Sequence, residues 1–129
     1  MKVLIAGGSW LQDNQVTPLL SFVDRIDLII QSRNLKETAE FVVQFRPDII
    51  LLECPLPGGN VLDLMHTLKS GRYEPFVVIL SDFTYPDFKT KCLAEGIDYF
   101  FEGAFGPSDM SPYLNDFKNG LATWHAAAH

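Results

Sequence analysis

Short apolar runs bounded by turn-forming residues recur along the chain and set its architecture. Val3-Leu4-Ile5-Ala6 ends at Gly7-Gly8, Ile49-Ile50-Leu51-Leu52 lies between Arg46-Pro47-Asp48 and Glu53, and Phe76-Val77-Val78-Ile79-Leu80 ends at Ser81. Continuous aliphatic runs without polar alternation are the pattern of strands buried on both faces of a parallel sheet. Ile26 to Ile30 and Tyr99-Phe100-Phe101 read as two further strands.

Between these runs the apolar residues recur at helical steps. Leu11, Val16, Leu19, Leu20 and Val23 mark a first helix within Trp10 to Val23, short or kinked because Pro18 interrupts it, with Thr17 placed to cap a helix that starts at that proline. Leu35, Ala39, Val42, Val43 and Phe45 give a second helix, with Asn34 as N-cap and Glu37 three residues later in a capping-box pattern. Val61, Leu62, Leu64, Met65 and Leu68 give a third, ended by Gly71, and Asp87 to Glu95 a fourth, ended by Gly96. Met110, Tyr113, Leu114, Phe117, Leu121 and Trp124 give the last. Five strands alternating with five helices, joined by right-handed crossovers, predict an α/β protein with a doubly wound parallel sheet. The flavodoxin-like strand order 2-1-3-4-5 fits, with its switch point between strands 1 and 3. In such sheets chemistry gathers outside the carboxyl ends of the strands, which is where Glu53, Gly7-Gly8 and Ser81 stand.

Composition narrows the class. The 129 residues make one domain, read as residues 1–124, and residues 125–129 (His-Ala-Ala-Ala-His) read as the remnant of an expression tag. With 47% hydrophobic and 20% charged residues the chain is globular, and its net charge of −6 offers no electrostatic footprint for nucleic acid or an anionic membrane. No apolar run approaches the ~20 residues a membrane helix needs. Two cysteines, Cys54 and Cys92, without paired spacing fit free thiols in a reducing compartment, so a cytoplasmic location is expected.

Taken together, Arg46-Pro47-Asp48-Ile49-Ile50-Leu51-Leu52, Pro57 four residues after Glu53, Ser81 at the end of strand 4 and Gly96-Ile97-Asp98-Tyr99-Phe100 resemble the receiver domain of two-component response regulators, over essentially Lys2 to Trp124. The resemblance implies phosphoryl transfer from a histidine kinase to an aspartate at the end of strand 3. An acidic pair after strand 1 and the acceptor hold magnesium, a lysine after strand 5 pairs with acceptor and phosphate, and a Ser or Thr after strand 4 bonds the phosphate. Such chemistry is positioning plus charge stabilisation, so these groups are most of the catalysis. Here the acidic pair falls on Gly7 and Gly8, the acceptor on Glu53 and the lysine on Gly103; Ser81 alone matches. The expectation is a degenerate, non-enzymatic pseudo-receiver without its Mg2+ site, holding no cofactor. The family's cis proline is replaced by Ala104. A cis bond there costs ~3 kcal/mol, so a trans bond and a rearranged 102–106 loop are expected.

Glu53 admits three readings: a strand-end acid bonded to loop N–H groups, a phospho-aspartate mimic reaching toward Ser81, or part of a metal site rebuilt with Asp82 or Asp13. Cys54 reads as a buried neutral thiol, His66 as a surface residue, Gly58-Gly59 as a turn, and Phe83, Tyr85 and Phe88 as an aromatic-rich loop that is either core or a docking patch. The resemblance places the output and dimerisation face on the fourth helix, fifth strand and fifth helix, including Tyr99 and Phe101, with Phe100 at the family's aromatic switch position and buried at rest. The function expected is therefore signalling by contact with a protein partner (a histidine kinase, an output domain or another signalling protein) or by homodimerisation through that face. Two alternatives stand beside it: a working receiver phosphorylated at or near Glu53 by atypical chemistry, and a small domain binding a ligand at the strand ends.

Overall fold

The computed structural model describes residues 1–7, 20–23, 25–54, 58, 60–68, 73–81, 87–102 and 111–127. In chain order the elements are β1 (Lys2–Ala6), β2 (Leu28–Ser32), α1 (Leu35–Phe45), β3 (Ile49–Cys54), α2 (Val61–Leu68), β4 (Phe76–Ser81), α3 (Phe88–Ala94), β5 (Tyr99–Glu102) and α4 (Ser111–Ala126). The strands form one sheet in the order β2-β1-β3-β4-β5, every pairing parallel, as the alternation of elements predicts.

Three aspartates set the register of that sheet at its amino edge. Asp48 donates its N–H to the Lys2 carbonyl and accepts the Lys2 N–H on Oδ2, both at 2.8 Å. Asp98 does the same with Val77, at 2.9 and 2.8 Å. Asp27 donates its N–H to the Met1 carbonyl at 2.9 Å and accepts the N-terminal ammonium at 2.7 Å. Each aspartate directly precedes a strand, so each fixes which residue of that strand starts beside which residue of its neighbour.

Both faces of the sheet are covered. Leu4, Ala6, Ile50, Leu52, Val77 and Ile79 pack toward α1, α2 and α3 with Val42, Met65 and Cys92. Val3, Ile5, Ile49, Leu51, Val78 and Leu80 pack with Val23 and with Phe117 and Leu121 of α4. Ile49 to Leu52 have no exposed surface, which is why that run shows no polar alternation.

The caps follow the sequence. Asn34 Oδ1 accepts the Glu37 N–H at 2.8 Å, and the Glu37 carboxylate reaches back to the Arg33 N–H at 3.0 Å. Arg46 closes α1 in the left-handed region, φ 50, its N–H bonded to the Val42 carbonyl at 3.0 Å before Pro47 stops the helix. Gly96 follows α3 at φ 92, in the expected left-handed position.

Two expectations change. The second strand is Leu28–Ser32, not Ile26 to Ile30: Asp27 is the register residue, so pairing starts after it, and Ile26 packs beside the α4-side cluster instead. The last helix, whose apolar pattern ends at Trp124, runs on through His125 to Ala126. The expected first helix, within Trp10 to Val23, falls mostly on residues 10–19, outside the described residues; among the described residues there are four helices.

The aspartate clamps give a direct expectation. Asp98→Ala leaves the part-buried Val77 N–H without its carboxylate, and we expect urea denaturation to show a loss of about 1–3 kcal/mol. Asp98→Asn keeps an acceptor at that point and should lose clearly less.

Candidate functional site

The β1–β3 register runs Val3 opposite Ile49 through Ala6 opposite Leu52. One residue further along both strands, Glu53 comes level with Gly7. Gly7 leaves the strand at φ +118, a conformation L side chains rarely adopt, with its N–H donated to the Ser32 carbonyl at 2.9 Å. A Cβ built on Gly7 would stand 2.6 Å from Glu53 Cβ and would overlap the Glu53 carboxylate oxygen Oε2. The half-buried Glu53 side chain therefore fills the space that a side chain at position 7 would need. Its carboxylate lies over the end of β1, on the side of β3 away from β4.

Beside it, Ser32 and Thr38 are fully buried polar residues. The Thr38 hydroxyl donates to the Asn34 carbonyl at 2.7 Å, which leaves Ser32 Oγ as donor in the 2.7 Å Ser32–Thr38 bond. This pair ties the end of β2 to the first turn of α1. Ser81 is the last residue of β4, opposite Cys54. Gly58, in the turn after β3, packs against Asn34 and Leu35 at the start of α1. Gly8, Asp13, Gly59, Asp82, Phe83, Tyr85 and the 103–110 segment, with Gly103 and the bond before Ala104, lie outside the described residues.

No protein-family model matches the chain. Among curated proteins it is 25% identical over 103 residues to the sensory transduction protein LytR of Staphylococcus saprophyticus, covering 79% of this chain and 40% of that protein. It is 27% identical over 84 residues to a protein-glutamate methylesterase/protein-glutamine glutaminase of Geobacillus kaustophilus, covering 65% of this chain and 24% of the enzyme. The chain thus spans less than half the length of these curated relatives. Among solved structures, the response regulatory domain of mrkE from Klebsiella pneumoniae superposes with a TM-score of 0.77 at 14% identity, covering 98% of this chain and 99% of that one. A signal receiver domain of a Luxo repressor protein from Vibrio parahaemolyticus gives 0.72 at 15% identity, with 99% and 98% covered. The chain has the receiver fold.

On that fold the two cysteines lie inside, in one cluster, Cys54 at 4% exposure and Cys92 at 0%. Burial first, then Cys92 and Glu53, push the Cys54 thiol from its ordinary 9.0 up to about 12. Burial and then Glu95 push Cys92 up to about 11. Both are neutral packing groups at physiological pH, as the sequence suggests for Cys54. His66 is 82% exposed and pairs with Glu95 at 3.5 Å, joining α2 to the end of α3.

The aromatic residues of β5 divide between the two faces of the receiver sheet. Phe100 is half-buried rather than fully buried and meets the Phe88 ring edge-on at 5.7 Å. Phe88 packs against the core, which settles its part of the aromatic-rich loop on the core side. Tyr99 points to the opposite face, 6.1 Å from Phe76. Phe101 continues the strand beside Leu80.

The coupling of Gly7 to Glu53 is measurable. Gly7→Ala adds a Cβ at a backbone angle that costs about 1–3 kcal/mol and displaces the glutamate besides. In urea denaturation, Gly7→Ala combined with Glu53→Ala should be less destabilised than the two single losses added together.

The thiols give a second expectation. Folded protein at pH 8 should react slowly with a thiol reagent, while unfolded protein exposes both cysteines at once. Because the folded state keeps protons that the unfolded chain releases, this contribution is complete below about pH 9 and disappears as the pH rises through about 11 and 12. The denaturation midpoint should therefore fall with rising pH in that window, and less steeply in Cys54→Ala.

Proposed function

We propose that the chain is a receiver-type module of a two-component signalling system that does not take a phosphoryl group by the usual magnesium-dependent aspartate route, and that it acts through contact with a protein partner. One observation carries this reading: the Glu53 side chain occupies the space over Gly7. A receiver needs carboxylates converging after β1 to hold a hard cation against the acceptor. At position 7 there is no side chain, the backbone favours glycine, and any added carboxylate would have to expel Glu53. The residues described at this edge do not fit a magnesium ion.

The direction of the carboxylate also bears on the mimic reading. A glutamate imitating phospho-aspartate has to reach across toward Ser81 on β4, whereas Glu53 leans over β1. It serves instead as the filling of its own pocket, a structural role. The module works in the cytoplasm, without cofactor or catalytic group. Its partner is a histidine kinase, an output domain or another signalling protein, or a second copy across α3, β5 and α4.

Incubation with acetyl phosphate and magnesium, followed by intact mass measurement, tests this. The expected result is no gain of a phosphate, beside a competent receiver that gains one. A stable phosphate adduct traced to Glu53 or a neighbour overturns the reading in favour of atypical phosphorylation. Glu53→Ala should leave partner binding unchanged.

A further inference from the structure

A groove of about 550 Å3 opens at the amino edge of the sheet, where β4 and β5 begin beside the second half of α4. Its floor and wall are Phe76, Tyr99 and Trp124, and its charged lining residues are Glu74 and Asp98. Among the described residues that line it there is no lysine, arginine or histidine. The groove is built by two specific contacts. Gly120 lets the Tyr99 ring lie directly against the backbone of α4, where any Cβ would collide with the ring. Trp124 donates its indole N–H to the Glu74 carbonyl at 3.0 Å, which holds the indole next to Phe76 at 6.1 Å between centroids.

We infer that this groove docks a basic segment of a partner protein, with an arginine or lysine side chain entering between the Tyr99 and Trp124 rings and the Glu74 and Asp98 carboxylates. Aromatic faces and carboxylates attract the same ligand charge. The volume suits one or two side chains, being in the range of small-ligand sites. The surroundings reinforce the sign. Burial is the first cause that raises the Tyr99 hydroxyl above its ordinary range, and the nearby Asp116 and Asp98 add to it. A chain of net charge −6 steers a cationic partner toward itself over a longer range. The groove stands at the edge of the sheet opposite Glu53, so this inference and the phosphoryl reading can fail separately.

The test is a 1H–15N correlation titration at pH 8 with a blocked hexapeptide alternating leucine and arginine, against one alternating leucine and glutamate. The basic peptide should shift the amides of Tyr99, Gly120, Thr123 and Trp124 and the Trp124 indole; the acidic one should not. Glu74→Gln and Asp98→Asn, the latter keeping an acceptor for the Val77 N–H, should each weaken binding about two- to fivefold. Unaltered affinity in both variants, shifts spread over acidic residues elsewhere, equal binding of the acidic peptide, or no shift at all overturns the inference. Shifts at the same amides on raising protein concentration alone also overturn it, by assigning the groove to a second copy.

Discussion

Three aspartates at the amino edge hold this sheet in step. Asp27, Asp48 and Asp98 each exchange a backbone bond and a carboxylate bond with the strand alongside. A parallel sheet buried on both faces tolerates no slip, because moving one strand by a residue turns all its side chains to the opposite layer. The clamp between Asp48 and Lys2 has its effect at the far end. Five residues further along each strand, the same offset brings Glu53 level with Gly7. The geometry of the candidate site is thus set at the other edge of the molecule.

What happens at that level is a competition for one volume. Position 7 can carry a side chain, or the side chain at 53 can fold back over β1, but the backbone at Gly7 has room for only the second. The two residues describe one packing choice. Glu53 and Gly7 go together: a side chain added at 7 meets the glutamate, and removing the glutamate empties the space over Gly7.

Much of this was legible in the sequence. The uninterrupted aliphatic runs gave β1, β3 and β4, because burial on both faces removes polar alternation. Asn34 and Glu37 gave the start of α1 because their side chains satisfy N–H groups that the helix leaves open. The second strand was misplaced because Ile26 is apolar, while the residue that fixes the start is Asp27. Its signal was present: Asp27, like Asp48 and Asp98, directly precedes an apolar strand. Gly7 read only as a missing ligand, because a sequence lists what a residue lacks and not what a neighbour puts in its place. The amino-edge groove was illegible, since Glu74, Tyr99, Gly120 and Trp124 come together only through the packing of α4 on the sheet.

The two edges of the sheet differ in kind. Phosphoryl signalling in a receiver runs from the carboxyl edge to the surface by rearranging groups around a new charge. An edge already filled by its own carboxylate offers little for such a charge to rearrange. The proposed recognition instead uses a surface whose chemistry is fixed by permanent packing: an aromatic floor held by the contact of Gly120 with Tyr99 and by the Trp124 bond, with acidic residues beside it. Such a surface is set when the chain folds, and its occupancy follows the concentration and charge of the partner rather than a chemical event inside the domain.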